Sequence, residues 1–532
     1  MMKQPKSHLK QALGELPWTA ELIWKLRDQG RPLNRKYSLQ ATQKHAAEWL
    51  AQAQEARSIA PPGKKLLIFS TLRYWIEHAA LLGVTLAGKG HDVHLAYLPY
   101  PSWHTQISRF DLRRHDAYSR SVFLGLTPLV NSHSFLDLKS NGDSLPADLR
   151  AGVEEVTFKD VQYTLQVEEI DRQSDLYQLR LERNLQVART ALKWMQKNRP
   201  QVVLTPNGSI LEMGVVFRVA NHLEIPAITY EFGEQRGKIW LSKDSEVMRQ
   251  DTDDLWESCK DGQLSSMQSE QLKSLLASRQ QGHLWENFSR SWQNIPSSGG
   301  EQVRQQLVLD RRPIVLLAVN VIGDSLTLGR QLFSRNMTEW LEKTVQRFAD
   351  RPELQLVVRI HPGEKYTKGP SVAEVVRRIL PTLPGNIHLV SADDPINTYD
   401  LIDIAAAGLV YTTTVGLEMA MRGLPVIVSG QTHYRAKGFT IDPMSWEEYN
   451  RLLDRIPQDL ISLGPTEEQI AHAWKYAYCF FFLYPAPFPW HLLHFLKELK
   501  EWPVGRVLSS EGQVQFGETF RYLVGEKRKW NL

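Results

Sequence analysis

The sequence predicts an α/β protein built on two Rossmann-like, doubly wound parallel sheets, and three observations carry that expectation. Short apolar runs alternate with helical stretches twice along the chain, from Lys64 and again from Arg312, as strands and covering helices do in parallel-sheet domains. The apolar runs end in Gly, Pro, Asn, Ser or Thr, the residues that let a strand turn into a helix. Between the two series, residues 244–300 are polar, rich in Ser and Gln, and close on "PSSGG", which reads as an interdomain linker.

The first series opens with the strand "KKLLIFS". A helix follows in "TLRYWIEHAALLGVTLAG", then the Gly88-Lys89-Gly90 turn and the strand "VHLAYL". An insertion of about residues 101–171 is long, polar and aromatic, and its elements stay unassigned. The rhythm resumes with the helix "DLYQLRLERNLQVARTALKWMQKNRP", the strand and turn "QVVLTPNGS", the helix "ILEMGVVFRVANHLEI" and the strand "PAITYEFG". The second series runs from "RPIVLLAVNV" through the strands "LQLVVRI", "NIHLVS", "GLVY" and "LPVIVSG", each separated by a helix. No G-x-G-x-x-G fingerprint occurs in either half. The domain bounds read from this pattern are a helical extension over 1–62 and a first domain over 63–298. A second domain covers 299–470, and a helical, aromatic segment over 471–532 is expected to pack back on the first domain.

Composition narrows the function classes. The chain has 532 residues, 42% of them hydrophobic and 23% charged, with a formal net charge of only +4. That is a globular composition without the basic footprint of a nucleic-acid binder. Two cysteines, Cys259 and Cys479, make no disulfide framework and no metal spacing, so a reducing, cytoplasmic setting is expected. The stretch Tyr476–Leu496 carries no Asp, Glu, Lys or Arg but is broken by Pro485, Pro487 and Pro489. It reads as a buried aromatic segment rather than a spanning helix. The lesser expectation is a peripheral contact at the cytoplasmic face of the inner membrane, helped by the basic tail "GEKRKW".

Ligands of doubly wound sheets bind beyond the carboxyl ends of the strands, so the residues just after each strand are the candidates. In the second half these include Asn320, the run Arg359–Glu364, the turn Thr412–Gly416 and the run Gly430–Tyr434. Thr412, Thr413 and Thr414 lead into a helix start at Gly416, a combination of hydroxyls and unpaired N–H groups suited to phosphate. Glu418, one turn on, suits ribose hydroxyls. The alternative is a plain N-cap at Thr414 with Glu418 placed by the helix dipole. In "LQLVVRIHPGE", His361 is the expected phosphate donor, held by the Pro362-Gly363 turn, with Arg359 in support; the alternative is a turn histidine.

The pair "RIHPGE" and "VYTTTVGLEMAMRGLPVIVSGQTHYRAKGFTIDP" resembles the bacterial capsule polysaccharide biosynthesis and export-associated family. That family includes Kdo-transferase-like and sialyltransferase-like glycosyltransferases. The resemblance implies a GT-B-like fold, two Rossmann-like domains facing a cleft, with the nucleotide-sugar donor held by the C-terminal one. It places His361 and Pro362 at the donor phosphate, Thr412–Thr414, Gly416 and Glu418 around it, and Gly430, Tyr434 and Gly438 after the next strand. In the first half, "YEFGEQRG" is similar to an E-x-G-x-x-R stretch and puts Glu231, Gly233 and Arg236 on the acceptor side. The chain departs from the family in having threonines where serines are common and in lacking a D/E-D/E-G acidic motif.

Glycosyl transfer needs a group that stabilises the leaving phosphate and, for inversion, a base for the acceptor hydroxyl. Glu231 is the expected base and His361 the expected catalytic partner at the phosphate; a loop-ordering Glu231–Arg236 pair is the competing reading. Asn207 and Gly208, at another strand end, are expected on the acceptor side or in a tight turn, and Arg73 and His78 are weaker candidates. No H-E-x-x-H, D-x-D or Cys/His cluster asks for a metal, so the expected chemistry is metal-independent, without a cofactor beyond the nucleotide-sugar substrate. The expected partners are a nucleotide-sugar donor and a glycan or lipid-linked acceptor, with no nucleic acid. The rivals are a catalytically silent nucleotide-sugar-binding or assembly protein, a polyol-phosphate transferase of teichoic-acid type, and, more weakly, an epimerase.

Overall fold

Runs such as Lys65–Ser70, five of whose six residues are buried, are apolar on both faces because helices cover a parallel sheet on both sides. That logic holds in both halves of the computed structural model, which describes residues 10, 12–34, 36–136, 144–282 and 295–530. Parts of the N-terminal extension, the insertion and the linker approach lie outside the described residues. The chain divides into two compact units. Unit 1 comprises residues 1–161, 171–248 and 486–528; unit 2 comprises 162–170, 249–485 and 529–532. Residues 249–298, read from sequence as part of the first domain, therefore lie in unit 2. So does the short piece 162–170, from within the unassigned insertion.

Unit 1 is built on β1 (Lys65–Ser70), β2 (Asp92–Tyr97), β3 (Val130–Ser134), β4 (Val202–Pro206), β5 (Ala227–Glu231) and β6 (Lys238–Lys243). Its sheet, counting the late strand Ala486–Pro487, has seven strands. Five of them run parallel in the order β3-β2-β1-β4-β5. β6 adds to β5 antiparallel, and Ala486–Pro487 adds antiparallel to β6. The insertion supplies two helices, Arg109–Leu124 and Ala147–Leu165, and the edge strand β3.

Unit 2 carries β7 (Ile314–Ala318), β8 (Gln355–Arg359), β9 (Ile387–Val390), β10 (Ala407–Val410) and β11 (Val426–Val428). All pairings are parallel, in the order β11-β10-β7-β8-β9. Counted within each unit, both parallel cores thus follow one winding, 3-2-1-4-5. The chain reverses direction between β1 and β4 in unit 1 and between β7 and β10 in unit 2. Ligand crevices of open α/β sheets form at such reversals.

The uncharged stretch from Tyr476 is buried aromatic structure. Helix Glu467–Tyr478 passes into a π-helical turn at Cys479–Leu483, and Phe480, Phe481, Tyr484, Phe488 and Trp490 are all buried. Among the described residues no helix is long and apolar enough to cross a membrane.

Candidate functional site

The reversal in unit 2 sets the site. Ala318 pairs with Arg359 on one side and with Val410 on the other. Asn320, His361 and Thr412 each lie two residues beyond these paired positions, in the loops that leave three neighbouring strands, with the Asn320 loop on the middle one. Asn320 stitches the crevice: its Oδ1 accepts from both the Thr412 backbone N–H and the Thr412 hydroxyl at 3.2 Å.

His361 caps the short turn Pro362–Tyr366, its Nδ1 accepting from the Gly363 N–H at 3.0 Å. That bond leaves the proton of the neutral ring on Nε2, a donor. A Cβ at Gly363 would lie 2.9 Å from Nδ1, so the glycine is what allows the imidazole this seat. The turn-histidine reading is met by the bond to the Gly363 N–H.

Arg359 does something other than support a ligand. It is 3% exposed, and its guanidinium donates to Ser391 O at 2.7 Å, Ile396 O at 3.1 Å and the Thr398 hydroxyl at 3.3 Å. Burial pulls it down to about 10. The irregular loop after β9 exposes carbonyls that no strand satisfies, and Arg359 satisfies them.

The threonine turn is braced from behind. Tyr434, fully buried, donates its hydroxyl to Thr413 O at 2.6 Å, and Thr432 donates to Thr412 O at 3.2 Å. A Cβ at Gly416 would fall 2.4 Å from the Tyr434 hydroxyl, and one at Gly430 2.9 Å from Thr412 Cγ2. Gly416, Gly430 and Tyr434 therefore build the back wall of the turn. Thr414 occupies the N-cap position of helix Val415–Met421 without a side-chain capping bond, so the plain N-cap reading fails.

Glu418 is corrected too. Its Oε1 accepts from the Arg279 guanidinium and its Oε2 from the Tyr399 hydroxyl at 3.0 Å, and Glu418 and Arg279 are each 4% exposed. The Arg279 guanidinium also sits 4.5 Å over the Phe481 ring. A carboxylate facing inward with both oxygens bonded is a packing element, not a ribose acceptor. The sequence reading passed over His433, next to Tyr434. Its ring stacks on Phe480 at 3.7 Å and its Nδ1 pairs with the Tyr476 hydroxyl at 2.9 Å. Burial, then the charges of Arg330 and Lys437, hold it far below the usual imidazole range and so neutral. The basic run "THYRAK" was the available signal.

In unit 1, Asn207 and Gly208 take left-handed backbone angles, φ 58° and 81°. A Cβ at Gly208 would strike Thr229 Cγ2 at 2.5 Å. This tight turn after β4 aims Asn207 at the tip of β5, where its Nδ2 donates to Glu231 Oε2 at 3.2 Å; the Phe232 N–H donates to Oε1 at 3.0 Å. Burial nonetheless lifts the Glu231 carboxyl to about 7. Arg236 is exposed, its charge felt by His491, His494 and Glu498. The bonds that order Glu231 come from Asn207 and Phe232, not from Arg236.

The other acceptor-side candidates are structural. The Gly233 carbonyl bonds His491 Nε2 at 3.2 Å, and a Cβ there would meet the Trp240 ring at 2.6 Å. Arg73 lies 4.0 Å over Tyr74, and its charge favours the ionised form of Glu77. Glu77 itself accepts from the N–H groups of Ala41 and Thr42 at the start of helix Gln40–Ile59. His78 is a core histidine, fully buried, bonded to Trp490 O at 3.1 Å and lowered to about 4 by burial. No group of three or more metal-ligating side chains occurs among the described residues.

Residues 287–480 match the family model described as "Capsule polysaccharide biosynthesis protein". The match makes this segment similar to that family. The matched segment contains Asn320, His361 and Thr412–Thr414. Among solved structures the chain is similar to KpsC of Thermosulfurimonas dismutans, a beta Kdo 2,4 transferase. The two are 14% identical over 55% of this chain and 83% of the other, with a TM-score of 0.33. It is also similar to the UDP-GlcNAc 2-epimerase of Neisseria meningitidis bound to UDP-GlcNAc, at 12% identity over 77% and 97% of the chains, TM-score 0.26. No curated protein matches the chain.

Proposed function

We propose that the chain is a metal-independent glycosyltransferase of GT-B type that moves a sugar from a nucleotide-sugar donor to a glycan acceptor in capsule or surface polysaccharide biosynthesis. The observation that carries this reading is that the capsule-synthesis match, residues 287–480, includes the loops carrying Asn320, His361 and Thr412, which leave three neighbouring parallel strands. In the proposed step an acceptor O–H loses its proton to a general base, for which the Glu231 carboxylate is the candidate, and its oxygen attacks the anomeric carbon. The bond from that carbon to the nucleotide phosphate breaks, and the electron pair leaves on the phosphate oxygen. The His361 Nε2–H donates to that oxygen as its charge grows, and the threonine turn holds the rest of the nucleotide. A donor already seated before charge develops costs no reorganisation in the transition state. A carboxyl near 7 is matched to proton abstraction at neutral pH.

The test is to incubate the purified chain with CMP-, UDP- and GDP-sugars, measure thermal stabilisation, and then assay nucleotide release with glycan acceptors. Stabilisation by one donor with acceptor-dependent release is the expected result. Stabilisation without release on any acceptor would support the catalytically silent binding protein. No stabilisation by any donor would remove the reading.

A further inference from the structure

The insertion of the first series sends a short piece, residues 162–170, into unit 2. Gln166 stands at its bend with a left-handed φ of 55°. The Gln166 backbone is wedged against two glycines from different loops. A Cβ at Gly323, in the loop that follows Asn320, would lie 2.4 Å from the Gln166 carbonyl carbon. A Cβ at Gly369, in the loop that follows His361, would lie 2.0 Å from the Gln166 carbonyl oxygen. Neither contact leaves room for any residue but glycine. The Gln166 side chain adds a directed bond, its Oε1 accepting from the Lys368 N–H at 2.8 Å.

Two residues on, Glu168 anchors the piece. Its two oxygens accept from the Met337 and Thr338 N–H groups, at 3.0 and 2.9 Å, at the start of helix Met337–Ala349. The bend is closed on itself by Gln162, whose amide donates to Glu168 O at 2.6 Å and whose carbonyl accepts from the Val167 N–H at 3.1 Å. The strap is therefore fixed at both ends and pressed into two loops that otherwise belong to separate strands.

We infer that Gln166 is a positioning residue for the donor crevice, holding the Asn320 and His361 loops as one element so that both meet the nucleotide-sugar together; this rests on the donor reading proposed above. Loops are the mobile parts of such folds. A donor that must first order two loops loses affinity to that ordering. A strap that orders them beforehand acts on affinity without touching the ligand.

The experiment compares the full chain with Gln166→Ala, Gln166→Glu and Gly369→Ala, using the CMP-, UDP- and GDP-sugar panel. Hydrogen exchange is measured separately over loops 320–325 and 362–369 without ligand. Gln166→Ala should weaken donor binding about tenfold, the effect of losing one directed bond, with a small change in unfolding temperature. Gln166→Glu keeps the acceptor oxygen for Lys368 and should restore binding. Gly369→Ala should displace the strap and loosen both loops together in exchange. Equal donor affinity in wild type and Gln166→Ala would overturn the inference, as would loops that exchange independently in Gly369→Ala. If wild type binds no donor, the function reading falls. The exchange result then still decides whether the strap couples the loops.

Discussion

Replacing Arg359 by methionine separates a structural cation from a ligand-binding one. The side chain keeps its length and apolar stem but loses every donor. Ile396 O, which accepts from Arg359 at 3.1 Å inside the fold, would be stranded, while Ser391 O, which accepts at 2.7 Å, belongs to an exposed residue and would turn to water. A stranded buried carbonyl costs about 1–3 kcal/mol, so the change removes about that much from unit 2. For a unit of this size that lowers the unfolding temperature on the order of 5 °C. Because the chain has two units, the assay is hydrogen exchange resolved by segment rather than one global transition. Protection should fall first over residues 391–398, and donor affinity should fall only as far as the fold does. A methionine variant with unchanged protection but abolished donor binding would refute the reasoning, since it would mean that the guanidinium reaches the ligand.

Glu231→Gln should cut turnover by at least a hundredfold, the usual span for losing a general base, with donor binding kept; unchanged turnover would remove Glu231 from the mechanism. The same carboxyl has a stability signature. Its folded value, about 7 against 4.5, means the native state holds a proton that the unfolded chain has released between those values. Stability therefore falls as pH rises from about 4.5 to about 7, by on the order of 3 kcal/mol. Glu231→Gln should then raise the unfolding temperature of unit 1 at pH 8 and leave it nearly unchanged at pH 4.5, readable by segment-resolved thermal unfolding. Glu418→Gln, which weakens the buried Arg279 pair, should destabilise unit 2 by about 3 kcal/mol. It should not change the preference for ribo- over deoxyribonucleotides in donor-competition assays; a lost ribose preference would return Glu418 to the ribose.

The parallel framework was legible because its strands are buried on both faces and so read as unbroken apolar runs. β1, β7 and β8 are examples. β3 was not legible: it is an edge strand, "VNSHS", with only Val130 buried, and nothing in it looks like a strand until its neighbour is known. Strand-end reading placed His361, Asn320, Thr412, Asn207 and Glu231 at strand ends, where the structure has them, because position beyond a strand is set by the sheet. It assigned too much to Arg359, Glu418, Gly416, Gly430 and Tyr434, for which the deciding facts are long-range. Arg279, 139 residues before Glu418, turns that carboxylate inward. The β9 loop does the same to Arg359. Gln166 gave no sequence signal, since its role comes from two glycines far along the chain.

The most direct measurement is donor binding by His361→Ala, with the nucleotide-sugar that stabilises wild type and calorimetry as the readout. At least a tenfold rise in Kd is expected, with an unfolding temperature close to wild type, because the imidazole is half-buried and its bond to the Gly363 N–H lies within a short turn. Binding as tight as wild type would contradict it, and with it the claim that the tips of β7, β8 and β10 together hold the nucleotide.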